Sequence, residues 1–196
     1  MRILIVGATG TIGREVVAAL RDGHDLVLAA RKGADVTVDI QDPQSIRAMY
    51  SSLGKVDAVV SAAGSGGWGP LAQLTDDDFA RSLGYKLMGQ VNLIRYGFDN
   101  MNDGGSFTVT SGILGRAPMI GSGAISLVNA GLEGFARAAA LEAPRGIRVN
   151  VVSPPWVSET LKEMGADPST GLPSAAVARA YVESVTGTKT AAVTEP

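Results

Sequence analysis

Short apolar runs and helix-period stretches take turns along the whole chain. Ile3-Leu4-Ile5-Val6 is a continuous apolar run of strand length. Val16, Val17, Ala19 and Leu20 then recur at the spacing of one helix face. The alternation continues, and it predicts strands at 2–6, 25–30, 35–38, 56–61, 105–110 and 147–152, with a weak one at 190–194. Helices are expected near 12–21, 43–53, 75–100, 122–143 and 174–185. Apolar strands separated by helices imply a parallel sheet covered on both faces; an antiparallel α+β arrangement would need hairpin signals that the chain lacks. No internal repeat or low-complexity linker interrupts the pattern. The expectation is an α/β fold, a doubly wound parallel sheet in three α/β/α layers, as a single domain over 1–196.

The boundaries follow from local chemistry. Thr75 precedes Asp76-Asp77-Asp78, a cap with acids in the first turn, so the acidic triplet is read as capping and not as a metal site. Pro144 and Gly146 end the helix at 122–143. Only about four residues lie between the second strand and Asp35, whereas a parallel crossover needs a dozen or more. The third strand is therefore rudimentary, or its crossover helix is missing.

Composition narrows the function. A chain of 196 residues with 45% hydrophobic side chains is enough for one compact core. A formal charge of -2 without a long run of one sign points to neither a nucleic acid nor an anionic membrane surface as partner. With no cysteine, disulfides and thiolate chemistry are excluded. His24, the single histidine, sits in the polar stretch Arg21-Asp22-Gly23-His24-Asp25 and is expected in a solvated loop; no metal site is predicted. The leading apolar run is too short for a signal peptide, and no stretch approaches the roughly 20 apolar residues of a membrane span. A cytoplasmic location is the expectation.

The candidate chemistry starts at Gly7-Ala8-Thr9-Gly10-Thr11-Ile12-Gly13, between the first strand and the first helix. Glycines let the backbone turn tightly and approach a pyrophosphate, and the free N–H groups of the new helix face that charge. This makes the sheet Rossmann-like, with Gly7, Thr9, Gly10, Thr11, Ile12 and Gly13 as candidate cofactor contacts. The second strand ends in Arg31-Lys32 where an acid would hold a ribose 2′-hydroxyl; two bases there favour a 2′-phosphate, hence NADP(H) over NAD(H). The alternative is two solvated charges in a turn. Asp39, beside Ile40, could accept from an adenine amino group. Ser61-Ala62-Ala63-Gly64 offers small residues at a strand's carboxyl end, where a flat ring or ribose can lie close.

At this point the chain resembles the short-chain dehydrogenase/reductase family over nearly its whole length. Gly7 to Gly13 resembles the family's glycine loop, with Thr11 where a glycine is common. Ser61 to Gly64 is similar to its Asn-Asn-Ala-Gly motif, and 105–111 resembles the strand that ends in its catalytic serine. Ala130-Gly131-Leu132-Glu133-Gly134-Phe135 is similar to the segment after the catalytic lysine. Arg148 to Val157 resembles the sixth strand and its Pro-Gly turn, with Pro155 in place of the glycine; Pro154 and Val157 join the candidate cofactor contacts.

The resemblance implies hydride transfer between a nicotinamide and a carbonyl or alcohol, with a tyrosine as proton donor and a lysine four residues later. It places the serine at Ser111, the tyrosine position at Ile125, the lysine position at Asn129 and an asparagine position at Lys86. No Tyr-x-x-x-Lys exists in the chain: Tyr50, Tyr85, Tyr96 and Tyr181 are followed four residues on by Gly54, Gly89, Asn100 and Val185. Lysine and asparagine thus stand exchanged between two helices. Lys86 could bring an ammonium near its usual place and act as acid and cofactor contact, or it could be a snorkelling surface lysine with Asn129 as a packing residue. Ser111, read without a neighbouring base, is a hydrogen-bond donor. Trp68 and Trp156 follow strand ends and could line a pocket or a core. The segment 158–174, with Gly165, Pro168, Gly171 and Pro173, reads as a mobile loop over the site. Glu159 falls where the family often has a threonine for the nicotinamide amide. In the family the helices matching 75–100 and 122–143 pair across a dimer axis, so a homo-oligomer, dimer or tetramer, is expected. The resulting expectation is an NADP(H)-dependent oxidoreductase for a small carbonyl or alcohol, or an activated enone or imine. The alternative is an NADP(H)-binding sensor or scaffold.

Overall fold

In a computed structural model describing residues 1–196, the apolar run Arg2–Val6 forms strand β1, an interior strand of the sheet. The chain continues through α1 (Thr11–Leu20), β2 (Asp25–Ala30), β3 (Val36–Thr37), α2 (Pro43–Leu53) and β4 (Val56–Ser61). Then come α3 (Asp76–Ser82), α4 (Gly89–Gly97), β5 (Met101–Thr110), α5 (Gly123–Glu142) and β6 (Arg148–Val152). It closes with α6 (Ser158–Glu163), α7 (Ser174–Thr186) and β7 (Val193–Thr194). All seven strands are parallel in the order β3-β2-β1-β4-β5-β6-β7. Val6 pairs with Ala29 on one side and Ser61 on the other, so the order reverses at β1 and a crevice opens beyond its carboxyl end.

Alternation along β1 splits the core. Leu4 and Val6 face α2, α4 and α5 in a cluster with Ile46, Val59, Leu93, Phe107 and Leu132. Ile3 and Ile5 face α1 and α7, with Val16, Leu20, Val60 and Tyr181. Tyr181 is fully buried, and its hydroxyl meets Thr110 Oγ1 at 2.6 Å, tying α7 to the end of β5. Burial pushes its phenol pKa up.

The acidic triplet caps as predicted. Thr75 Oγ1 accepts from Asp78 N–H at 3.2 Å, and Asp78 Oδ2 accepts from Thr75 N–H at 3.0 Å. Both alternatives for the short link hold: the third strand is two residues long, and no helix lies between it and β2. No helix is long and apolar enough to cross a membrane.

Four expectations are corrected. The helix expected over 75–100 is not uniform: a π-helical segment, Leu83–Met88, separates α3 from α4 and carries Lys86. The extra residue of a π turn displaces the side chains that follow it, which an α-period reading cannot register. Strand β5 starts at Met101, which pairs with Val56; the register then shifts, and the ladder resumes with Ser106 beside Ala58. The segment 158–174 is built, not loose. It contains α6 and a 3-10 turn, Pro168–Thr170, and a bridge joins Val157 to Leu172. His24 is half-buried, its Nδ1 enclosed without a partner, and so is not a freely solvated loop residue.

Candidate active site

The glycine loop lies at the sheet's switch point. Gly7 takes φ of +85°, and a Cβ there would lie 2.9 Å from the Ala62 backbone. A Cβ on Gly13 would lie 2.0 Å from Gly7 O, so only glycine lets α1 sit this close to the loop. Gly10 caps α1 with no side-chain acceptor, leaving the helix N-terminus for an anion. Gly7, Thr9 and Gly10 line a cavity of about 890 Å³. Gly13 is buried behind it and Thr11 opens the helix.

Arg31 and Lys32 form another wall of this cavity, with Val38, Ile40 and Tyr85. The Arg31 guanidinium stands 5.4 Å from the Tyr85 ring centroid. Neither base belongs to an ion pair. Two unpaired cations thus line a cavity that also reaches the N-terminus of α1. Asp39 spends one carboxylate oxygen locally. Its Oδ1 accepts from Gln41 N–H at 3.0 Å and closes a local turn, while Val38 and Ile40 line the cavity beside it.

Ala62, Ala63, Gly64 and Ser65 are shared with a second cavity of about 320 Å³. Ile12, Pro154 and Val157 line it, as do Lys86, Ser111, Gly112, Ile125 and Asn129. The positions where the family's catalytic groups are expected therefore converge on one space. Trp68 and Trp156 stand edge to face in its wall, ring centroids 5.6 Å apart.

Lys86 is not a surface lysine. It is 8% exposed, and its Nζ donates to Ser111 O at 2.9 Å. Burial lowers its pKa to about 8. Gly64 (φ +123°) makes room for it, since a Cβ there would come within 3.1 Å of Lys86 Cα and Cγ. One turn later Gln90 locks the helix to the strand. Its Nε2 donates to Lys86 O at 3.1 Å and Thr110 O at 2.9 Å, and its Oε1 accepts from Thr110 N–H at 2.8 Å. Asn129 is buried with Oδ1 unpartnered, and its Nδ2 faces Gly112.

The reading of Ser111 as a serine without a base is corrected. Its Oγ donates to Glu133 Oε1 at 2.8 Å, and Ser153 Oγ donates to the same oxygen at 3.2 Å. Glu133 is 2% exposed; its Oε2 lies 4.0 Å from Arg116 Nε and 3.8 Å from Arg137 Nη2. Arg116 Nη2 also donates to Ser153 Oγ at 3.0 Å. The Ser111 hydroxyl is thus spent on a buried carboxylate, and its backbone carbonyl serves Lys86. Sequence reasoning passed over Glu133, although it lies four residues from Asn129 on the buried face of α5. Glu159 turns out of the site: its carboxylate accepts from Ser174 N–H at 3.0 Å and Oγ at 2.8 Å, which lowers its pKa. The next residue, Thr160, lines the second cavity instead.

A doubly wound sheet, a glycine loop at its switch point and a second cavity where the catalytic positions meet define the class. A family model described as enoyl-(acyl carrier protein) reductase matches residues 7–194. The chain belongs to the short-chain dehydrogenase/reductase family. It is similar to the 3-oxoacyl-[acyl-carrier-protein] reductase of Homo sapiens, 30% identical over 175 residues covering 78% of this chain and 74% of that protein. An uncharacterized oxidoreductase of Schizosaccharomyces pombe is 31% identical over 169 residues, 78% of this chain and 65% of that one. The chain spans about half to three quarters of the length of the curated relatives it matches. The crystal structure of the protein lin1944 from Listeria innocua has a TM-score of 0.95 at 41% identity, covering 100% of this chain and 98% of that chain.

Proposed function

We propose that the chain is a single-domain NADP(H)-dependent oxidoreductase that works on a small carbonyl or alcohol, or an activated enone or imine, with a reorganised proton-transfer site. The observation that carries this reading is the pair of joined cavities. One runs from the open N-terminus of α1 to Arg31 and Lys32, and the other holds Lys86. Gly7, Thr9 and Gly10 would hold the pyrophosphate, Arg31 and Lys32 the 2′-phosphate, and Ala62 to Gly64 the face of the ring system. When bound, the dinucleotide supplies or accepts a hydride.

The chain's own residues supply the rest. Ile125 cannot exchange a proton, so Lys86 gives one to the developing alkoxide oxygen and recovers it from water. A pKa of about 8 leaves the amine mostly protonated at neutral pH, so a proton is in place to be given. Ser111 and Glu133 act at one remove: they hold the loop whose carbonyl positions the ammonium. The exposed apolar side chains of α5 support a homo-oligomer, and a cytoplasmic setting agrees with the cofactor proposed.

The test is to follow cofactor absorbance with NADPH and a panel of ketones, enones and imines. Turnover is expected, slower by roughly 10²–10⁴ than with an intact tyrosine. NADPH should bind more tightly than NADH, and Arg31→Ala should narrow the gap. Equal affinities in the parent protein would remove the 2′-phosphate assignment. Tight NADPH binding with no turnover would favour the second reading, a binding module, which rests on Ile125 standing where a proton donor is expected.

A further inference from the structure

Lys86 has more hydrogen-bonding capacity than the protein uses. An ammonium carries three N–H donors. One is given to Ser111 O, and no carboxylate lies within 4.0 Å of Nζ. None of the acids on the surrounding elements forms an ion pair with it. Glu133 on α5 serves Ser111, Ser153 and two arginines. Glu159 on α6 caps α7, and Asp78 on α3 holds Thr75 and Arg81. Glu163 lines the other cavity, Asp57 of β4 is bound to Arg2 and Asn102, and α4 has no acid. Among the cations, Arg116 pairs with Glu195 at 2.9 Å as well as facing Glu133.

A buried cation without a counter-ion is costly, and it attracts any anion that fits. The cavity around it is about 320 Å³; the dinucleotide's ring system would take the side at Ala62 to Gly64, and the remaining walls include Trp68, Trp156, Ile125 and Ile113. We infer that this cavity selects compact apolar anions, and among them α-oxo acids with an aromatic or branched side chain. The two unspent N–H groups match two neighbouring oxygens, the carboxylate and the carbonyl beside it. The apolar part then lies against the tryptophans. The inference deepens the oxidoreductase reading by naming its substrate class, and it rests on that reading for the fate of the carbonyl. The preference for the anion stands on Lys86 alone.

Calorimetric titration of the whole chain, without and with NADPH, tests it with hydrocinnamate, its neutral amide hydrocinnamamide, and phenylpyruvate. At neutral pH hydrocinnamate should bind roughly tenfold or more tightly than the amide, and phenylpyruvate more tightly still. An anion beside Lys86 raises its pKa from about 8 toward the ordinary value, so binding measured at pH 8 should take up about half a proton, read from the buffer dependence of the heat. Carboxylate affinity should fall as pH rises further, because the ammonium is lost. Lys86→Met should abolish both the preference and the proton uptake while amide binding persists. Equal affinities for acid and amide, no proton uptake, or no carboxylate binding would each overturn the inference. So would loss of carboxylate binding when NADPH is present, since the free donors would then belong to the cofactor. Proton uptake is measured on the parent protein, so the test does not depend on the variant folding. Failure of NADPH to bind would count against the proposed function and leave the anion preference standing.

Discussion

At the residue scale, Lys86 decides most of what is unusual here. Its pKa lies below the unfolded value of a lysine, about 8 against 10.5. Between those two values the unfolded chain binds more protons than the folded one, so this group's contribution to stability rises with pH across that window. Below pH 8 the folded protein carries the whole cost of burying the charge, on the order of 3 kcal/mol. Lys86→Met should therefore be more stable than the parent at neutral pH by that amount, less about 1 kcal/mol for the lost hydrogen bond to Ser111. The gain should shrink as pH climbs from 8 toward 10.5. Urea denaturation of both proteins across this range checks it, and a gap that does not change with pH would contradict it. The residues that accommodate Lys86 are as particular as the lysine itself. Gly64 leaves space beside its stem, and Ser111 gives it a carbonyl rather than a hydroxyl.

At the scale of elements, the site depends on how the helix with a π turn meets the end of β5. Gln90 makes that junction by pairing with both backbone groups of Thr110, much as a neighbouring strand would. The next residue in the chain is Ser111, so the junction also sets the carbonyl that Lys86 uses. Replacing Gln90 by leucine keeps the volume but leaves the N–H and C=O of Thr110 without these partners. The expected cost is roughly 2–4 kcal/mol, and the turnover proposed above for Lys86 should fall alongside. Chemical denaturation measures the first effect; a loss under about 0.5 kcal/mol would mean that water replaces Gln90 at no penalty. The C-terminal part of the chain behaves in a similar way. Glu159 is spent on the N-terminus of α7, and this tethers α6 so that Thr160 and Met164 line the second cavity.

At the scale of the whole molecule, α5 presents an apolar stripe to solvent. Leu127 and Leu141 are 50% and 87% exposed, and Gly134 between them has open space above it. A spacing of seven residues keeps all three on one helix face. Two copies meeting on this stripe would bury it, and a self-complementary contact of this kind gives a closed dimer. Light scattering at micromolar concentration should show a dimer or tetramer. Leu127→Glu with Leu141→Glu should give a monomer that keeps its fold. A parent protein that is already monomeric would contradict the expectation.

Much of this protein was determined by local order in the chain. The alternation of strand and helix periods defined a parallel three-layer sheet, and the short link before Asp35 left room for only a rudimentary β3 or a connection without a helix. The glycines between β1 and α1 marked the switch point because their spacing is itself the turn. The absence of Tyr-x-x-x-Lys needed no structure at all. What remained depended on contacts between distant residues. Lys86 could be a surface or a buried lysine until the π turn and Gly64 enclosed it. Ser111 had no visible base because Glu133 lies 22 positions away and meets it only when α5 packs on β5. Asp39 and Glu159 carried plausible motif positions, yet their carboxylates close a local turn and cap a helix. Residue order sets which groups are available, while burial and hydrogen bonding across the sheet decide which remain free to act.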